Sequence, residues 1–167
     1  MPIADDATLL NAYAGKGVLL DSNLLLLLVV GTYDRSQVGK FKRLIMFVPE
    51  DFDILRAVVS RFRNVYVTPN TVTEVSNLAG SFSGDARKHC FRIFAATILA
   101  SEELIVPSSD AAQHFTFEKF GITDAAIFSV AGNPPLVLTT DFPLSQSLAA
   151  SGLPVINFNH LRFQYWN

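Results

Sequence analysis

Residues 17–31 read GVLLDSNLLLLLVVG, and Asp21 and Asn23 are the only strongly polar side chains between Val18 and Val30. The short apolar run before Asp21 predicts a buried strand over 18–20, and the longer run after it predicts a buried helix that carries Asn23 and stops at Gly31. Asp21 then sits at the carboxyl end of a strand. Upstream, Leu9, Leu10 and Tyr13 recur at helical spacing and predict a short helix over 5–15 closed by Gly15. Downstream, the mixed basic and apolar stretch 36–46 predicts a helix broken by Pro49. Glu50, Asp51 and Asp53 then load the first turn of a helix over 52–62, with Arg61 and Arg63 at its far end, an arrangement that complements the helix dipole.

The same pattern recurs along the rest of the chain. A strand over 65–67 runs into Thr68-Pro69, a cap followed by a proline at the first helical position, and a helix to about Leu78 with Glu74 in its second turn. A serine-rich loop over 80–84 leads to a helix over 85–99 and a third strand over 102–106. Ser108, Ser109 and Asp110 cap a helix ending near Gly121, and Thr123 caps another over 124–131. A turn over 132–135 leads to a strand over 136–138 that ends in Thr139-Thr140-Asp141, then a helix from Pro143 to Ala150 and a strand over 154–157. Strands alternating with helices predict an α/β fold: a three-layer α/β/α sandwich around a central, mostly parallel five-stranded sheet. With 167 residues and no repeat or linker, residues 1–167 read as a single domain.

Composition narrows the setting. Half of the residues are hydrophobic and 17% are charged, yet the longest apolar run, Leu24 to Val30, is seven residues against the roughly 20 a membrane span needs. No membrane partner is expected. The amino terminus lacks a basic start and a long apolar core, so it does not read as a secretory signal, and the single cysteine, Cys90, fits a reducing compartment. Cytoplasm is the expectation. Net charge is −2, but ten basic residues face five acidic ones between Arg35 and Arg92, against three and ten elsewhere. That bias allows a positive face for a phosphate backbone, although solvated helix faces explain it equally.

Four carboxylates stand out from the fifteen acidic residues. Asp21 and Asp141 end strands, Glu74 lies near the start of the helix after the second strand, and Asp124 opens a helix with apolar flanks. In a parallel sheet the carboxyl ends of strands and the amino ends of the following helices share one edge, so all four can converge there. Each has a plainer role: Asp21 and Asp141 as helix caps, Asp124 as a dipole partner, Glu74 as an exposed helix residue. Clustered, they repel one another and are expensive to desolvate unless a cation neutralises them, and all-oxygen ligands suit Mg²⁺ or Mn²⁺.

The segments VLLDSN, TPNTVTEVSNL, FGITDAAIFSVA and LVLTTDFPL, in this order and spacing, resemble the PIN-domain nucleases over most of the chain. The resemblance implies that Asp21, Glu74, Asp124 and Asp141 occupy acidic metal-binding positions, Asn23 an accessory polar position, and Thr139 the hydroxyl of a T-x-D element. It further implies Mg²⁺- or Mn²⁺-dependent cleavage of single-stranded or structured RNA, with the toxin of a toxin–antitoxin pair as one setting and an antitoxin protein as a possible partner. Asn23 and Thr139 are expected to position water or the ligands, with the basic residues of 35–92 on the RNA backbone. A longer 32–63 segment departs from the smallest toxins. An inactive PIN-like interaction or RNA-binding module is the alternative. The apolar excess also fits a homodimer face, and the aromatic tail HLRFQYWN fits either cover for a sheet edge or a subunit contact.

Overall fold

β1 (Val18–Leu20) sends Val18 and Leu20 into the core on one face of the sheet and Leu19 into the core on the other, as successive strand residues must. Both faces are therefore apolar, the pattern of a parallel sheet covered on two sides. The computed structural model, which describes residues 5–165, adds β2 (Val65–Val67), β3 (Glu102–Glu103), β4 (Leu136–Thr139) and β5 (Val155–Asn157), all parallel, in the order β3-β2-β1-β4-β5. The expected five-stranded sheet is present, and it is parallel throughout. The chain moves outward from β1 through β2 and β3, then crosses back to β4 and β5. The carboxyl ends of β1 and β4 thus flank the point where strand order reverses, the place where open α/β sheets bind ligands. Pairing of Leu20 with Leu138 brings Asp21 beside Thr139 and Thr140.

Helices cover both faces. α2 (Ser22–Tyr33) lies in the middle of one layer, with Leu24 to Leu27, Val29 and Val30 each fully buried, because other helices surround it as well as the sheet. Around it pack α3 (Pro49–Val59), α4 (Pro69–Ala79), α5 (Gly84–Leu99) and α9 (Phe158–Tyr165), through Phe52, Val75, Phe94 and Leu161. α1 (Asp6–Tyr13) adds Leu10 to the same core. On the opposite face α7 (Phe117–Val130) and α8 (Phe142–Ala150) close over Leu19 and Val137 with Ile127, Phe128, Leu144 and Leu148. α6 (Ser108–Gln113) packs Ala111 against Ala125 and Ala126 of α7. The three-layer α/β/α sandwich is complete.

Several elements differ from the sequence expectation. Gly31 does not stop α2, which runs on to Tyr33; its role is close approach, since a Cβ there would lie 2.2 Å from the Phe52 ring of α3. The stretch 36–46 is not a helix but two 3-10 turns, Arg35–Gln37 and Lys42–Leu44, with Val38 and Phe41 extended between them. Burial explains this: Val38, Leu44 and Phe47 enter the core at a spacing no α-helix presents on one side, leaving Ile45 and Met46 outside. Pro49 opens α3 instead of ending its predecessor, because the Asp51 carboxylate accepts from the Val48 amide at 2.9 Å and satisfies a donor at the helix start. β3 is two residues, not five, for the chain leaves this edge after Leu104 donates to the Val67 carbonyl. The two helices expected around 108–131 are divided elsewhere, α7 continuing past a kink at Gly121, whose φ of +80° is left-handed backbone that glycine tolerates. The tail forms α9, where Arg162 reaches the fully buried Asp51 with its Nε 3.0 Å from Oδ1. Trp166 and Asn167 of that tail lie outside the described residues, as do residues 1–4.

The tight contact at Gly31 yields a stability prediction. Gly31→Ala overpacks the α2–α3 contact and lowers the free energy of unfolding by about 1–3 kcal/mol, read as a lower urea midpoint with an unchanged slope.

Candidate active site

Asp21 follows β1 directly and is 5% exposed. Its Oδ1 accepts from the Leu24 amide at 2.8 Å, which makes it the cap of α2. Its Oδ2 accepts from the Thr140 amide at 2.9 Å and from the Thr139 hydroxyl, while its own amide donates to the Leu138 carbonyl at 3.1 Å. The same carboxylate therefore starts α2 and ties the end of β1 to the end of β4. Burial pushes the Asp21 carboxyl up, against three hydrogen bonds that pull it down.

Thr139 is wholly buried, and its hydroxyl is engaged twice, donating to Asp21 and accepting from the Asp141 amide at 2.9 Å. Of the roles expected for it, orienting Asp21 is the one its surroundings permit. Asp141 caps α8 through Oδ1, 2.8 Å from the Leu144 amide, and is exposed, with Oδ2 unused by any described residue. Asp124 lies on α7 one turn past the Gly121 kink, and its carboxylate accepts no hydrogen bond from the described residues. Its carboxyl is pushed up to about 7, first by burial and then by the charges of Asp141, Asp21 and Glu74. Asp141, Asp21 and Glu74 are thus all within electrostatic reach of Asp124.

Glu74 is exposed on α4 and accepts from the Ser22 hydroxyl at 2.7 Å. Ser22 is a site residue that the sequence reading passed over. Its signal was a hydroxyl lodged between Asp21 and Asn23 in an apolar run, and being 8% exposed it links the first helical position of α2 to α4. Asn23 is half-buried in the first turn of α2 and makes no hydrogen bond to any described residue, so the structure ties it to none of the four carboxylates. Glu74 also lines a cleft of about 430 Å³ between α4 and the α6–α7 segment, which reaches Thr123 beside Asp124.

Among the described residues the acidic edge has no ion-paired counter-charge: none of the four carboxylates joins an ion pair. The groups acting on Asp124 are all acidic. Three of the basic residues expected on the RNA backbone are placed elsewhere. Arg61 and Arg63 precede β2, and the Arg63 amide bonds to the Ala14 carbonyl, at the amino edge of the sheet and opposite the carboxylates. Arg35 is held by Glu50 at 3.0 Å and Asp53 at 2.8 Å. Among the described residues no three His, Cys, Asp or Glu side chains form a ready-made metal group. The donor set nonetheless fits a hydrated hard cation, which is commonly held by one or two carboxylates, waters and substrate phosphate. No protein-family model matches the chain, and no curated protein is similar to it. No helix among the described residues is long and apolar enough to cross a membrane.

Asp124 gives the site a pH signature. Its folded value of about 7 lies above the ordinary 3.8, so the stability it contributes is full below pH 3.8 and is lost as pH rises through 7. Without metal, wild type and Asp124→Asn melt together at the acidic end once the carboxyl is protonated, and the variant becomes the more stable by pH 8. Melting temperatures from pH 4 to 8 in EDTA check this.

Proposed function

We propose that the chain is a divalent-metal-dependent endoribonuclease that hydrolyses phosphodiester bonds of RNA at the β1/β4 edge. One observation carries this reading. Asp21 and Asp141 follow the carboxyl ends of β1 and β4, where strand order reverses, Asp124 is acted on by the charges of both and of Glu74, and none of the four has an ion-pair partner among the described residues, so a phosphate brought there would need an added cation beside it. The order of motifs that resembles PIN-domain nucleases supports the same chemistry.

Asp21, Asp124 and Asp141 are the residues that would hold Mg²⁺ or Mn²⁺, with Glu74 at the rim. When bound, the ion supplies positive charge for the phosphate and lowers the proton affinity of attacking water. Thr139 and the Thr140 amide hold Asp21 in one orientation, so no reorganisation is needed when substrate arrives. Ser22 steadies Glu74 from the start of α2. With its carboxyl pushed up to about 7, Asp124 is about half protonated near neutral pH; to hold the cation it would have to be ionised, so cation binding would tighten as pH rises. Because Asp21 is almost fully enclosed, the scissile phosphate must reach inward, and a flexible single strand does so more readily than a duplex.

The test is cleavage of a single-stranded RNA in Mn²⁺. Wild type cuts and EDTA stops it. Asp124→Asn, which removes no hydrogen bond made by the described residues, loses at least about 100-fold in rate, equivalent to roughly 3 kcal/mol. A wild type that binds RNA without cutting it in Mn²⁺ is instead the inactive module, and an Asp124→Asn that cuts as well as wild type removes the site from the chemistry.

A further inference from the structure

The cleft beside the acidic edge has an unusual lining. Asn70, Thr73 and Asn77 lie on one stripe of α4, at the spacing that puts side chains on the same helix face. Ser108, at the start of α6, and Thr123, on α7, line the same cleft. Among the described residues none of these five side chains makes a hydrogen bond, so two amides and three hydroxyls offer their full donor and acceptor capacity to whatever enters. Val106 and Ile122 supply apolar surface between them. Among the described residues the cleft is lined by no basic side chain and by a single charge, Glu74, which repels phosphate.

That combination selects the occupant. A volume of about 430 Å³ falls in the range of small-molecule sites, roughly 300–1,000 Å³. An anion is disfavoured by Glu74 and by the absence of any cation, so a phosphate group does not belong in the cleft itself. A flat neutral group rich in donors and acceptors does: the asparagine amide matches base edges that present both, and Val106 and Ile122 can lie against its face. Glu74 is a wall of the cleft and a member of the acidic group, while Thr123 adjoins Asp124, so the cleft opens where the reacting phosphate is placed. The group covalently attached to that phosphate is a nucleoside.

We propose that this cleft receives one unstacked nucleoside adjoining the scissile phosphate, and that Asn70 and Asn77 read its base and so set which RNA sequences are cut. This rests on the nuclease reading above. Thr73, Ser108 and Thr123 then face the sugar or the remaining base edge. RNA is favoured where these hydroxyls meet a ribose 2′-OH, a group that both donates and accepts.

Two measurements test it. The first is an NMR titration of the intact protein with uridine, cytidine, adenosine and guanosine, following the side-chain amide signals of Asn70 and Asn77. A saturable shift of both signals with at least one nucleoside, and weaker shifts with the others, is expected. No shift with any of the four, up to their solubility, overturns the proposal. The second is sequencing of cut sites in a random RNA pool in Mn²⁺. Wild type is expected to prefer one base beside the cut by about ten-fold, and the Asn70→Ala/Asn77→Ala double variant to lose that preference. An unchanged cut profile in a double variant that melts like wild type overturns the assignment. Wild-type turnover of bis(p-nitrophenyl) phosphate, a diester with no base, reports the metal-dependent chemistry separately. If neither that diester nor RNA is cut, the nuclease reading fails, and the nucleoside titration alone still decides the cleft.

Discussion

The hydrogen bonds that Asp21 accepts from Thr139 and Thr140 are the join on which the acidic edge depends. β1 and β4 are distant in sequence and are held side by side by their backbone ladder, which ends at the Leu20–Leu138 pair. Asp21 extends that join beyond the ladder with its side chain. It accepts from the α2 backbone on one oxygen and from the end of β4 on the other, and it does so while almost fully enclosed. An enclosed carboxylate without donors is very costly, whereas one with three converging donors is held in a single orientation. Thr139 extends the join by accepting from the Asp141 amide, so the backbone of the next carboxylate is placed by the same hydroxyl that places the first.

The electrostatics of this edge oppose folding and favour binding. Asp124 is pushed to about 7 because burial and three neighbouring carboxylates all disfavour its charge, and no arginine or lysine among the described residues offsets them. Some acids elsewhere are paired. Asp51, fully buried, is met by Arg162, and Arg35 joins Glu50 and Asp53 at the surface. The same sequence therefore neutralises acids in its scaffold and leaves four unneutralised at one edge. That contrast is what singles out this edge as the candidate site.

Much of this was legible because parallel sheets impose simple rules. The apolar strand followed by Asp21, the Thr68-Pro69 start of α4 and the Thr139-Thr140-Asp141 end of β4 each carry a local signal, and together they name the edge where acids meet. What local pattern misses is tertiary. Gly31 looks like a stop signal and is a contact for Phe52, Pro49 looks like a breaker and opens α3, and the basic and apolar mixture of 36–46 resembles a helix until Val38, Leu44 and Phe47 are seen to enter the core off any helical period. Ser22 was hidden for another reason. A serine in an apolar helix is ordinary, and only its partner 52 residues away gives it a role. The positive bias of 35–92 was real in sequence but divided in space, since Arg61 and Arg63 fall at the opposite edge and Arg35 is already paired.

The placement of charge also constrains how an RNA can be held under the proposed reading. Proteins that grip a phosphate backbone with many lysines and arginines release many counterions, and their affinity falls steeply with salt. Here the edge that handles phosphate has no such residues acting on Asp124, and the adjoining cleft is neutral apart from Glu74. Affinity then comes from the bound cation and from contacts to an unstacked base, and base contacts are far less sensitive to ionic strength than phosphate contacts. A substrate that depends on one cation and one base is selected by local sequence and single-strandedness more than by length. On that proposed reading, the cleft and the acids beside it would be two parts of one arrangement: one would disfavour phosphate where a base is read, the other would admit phosphate only where a cation accompanies it.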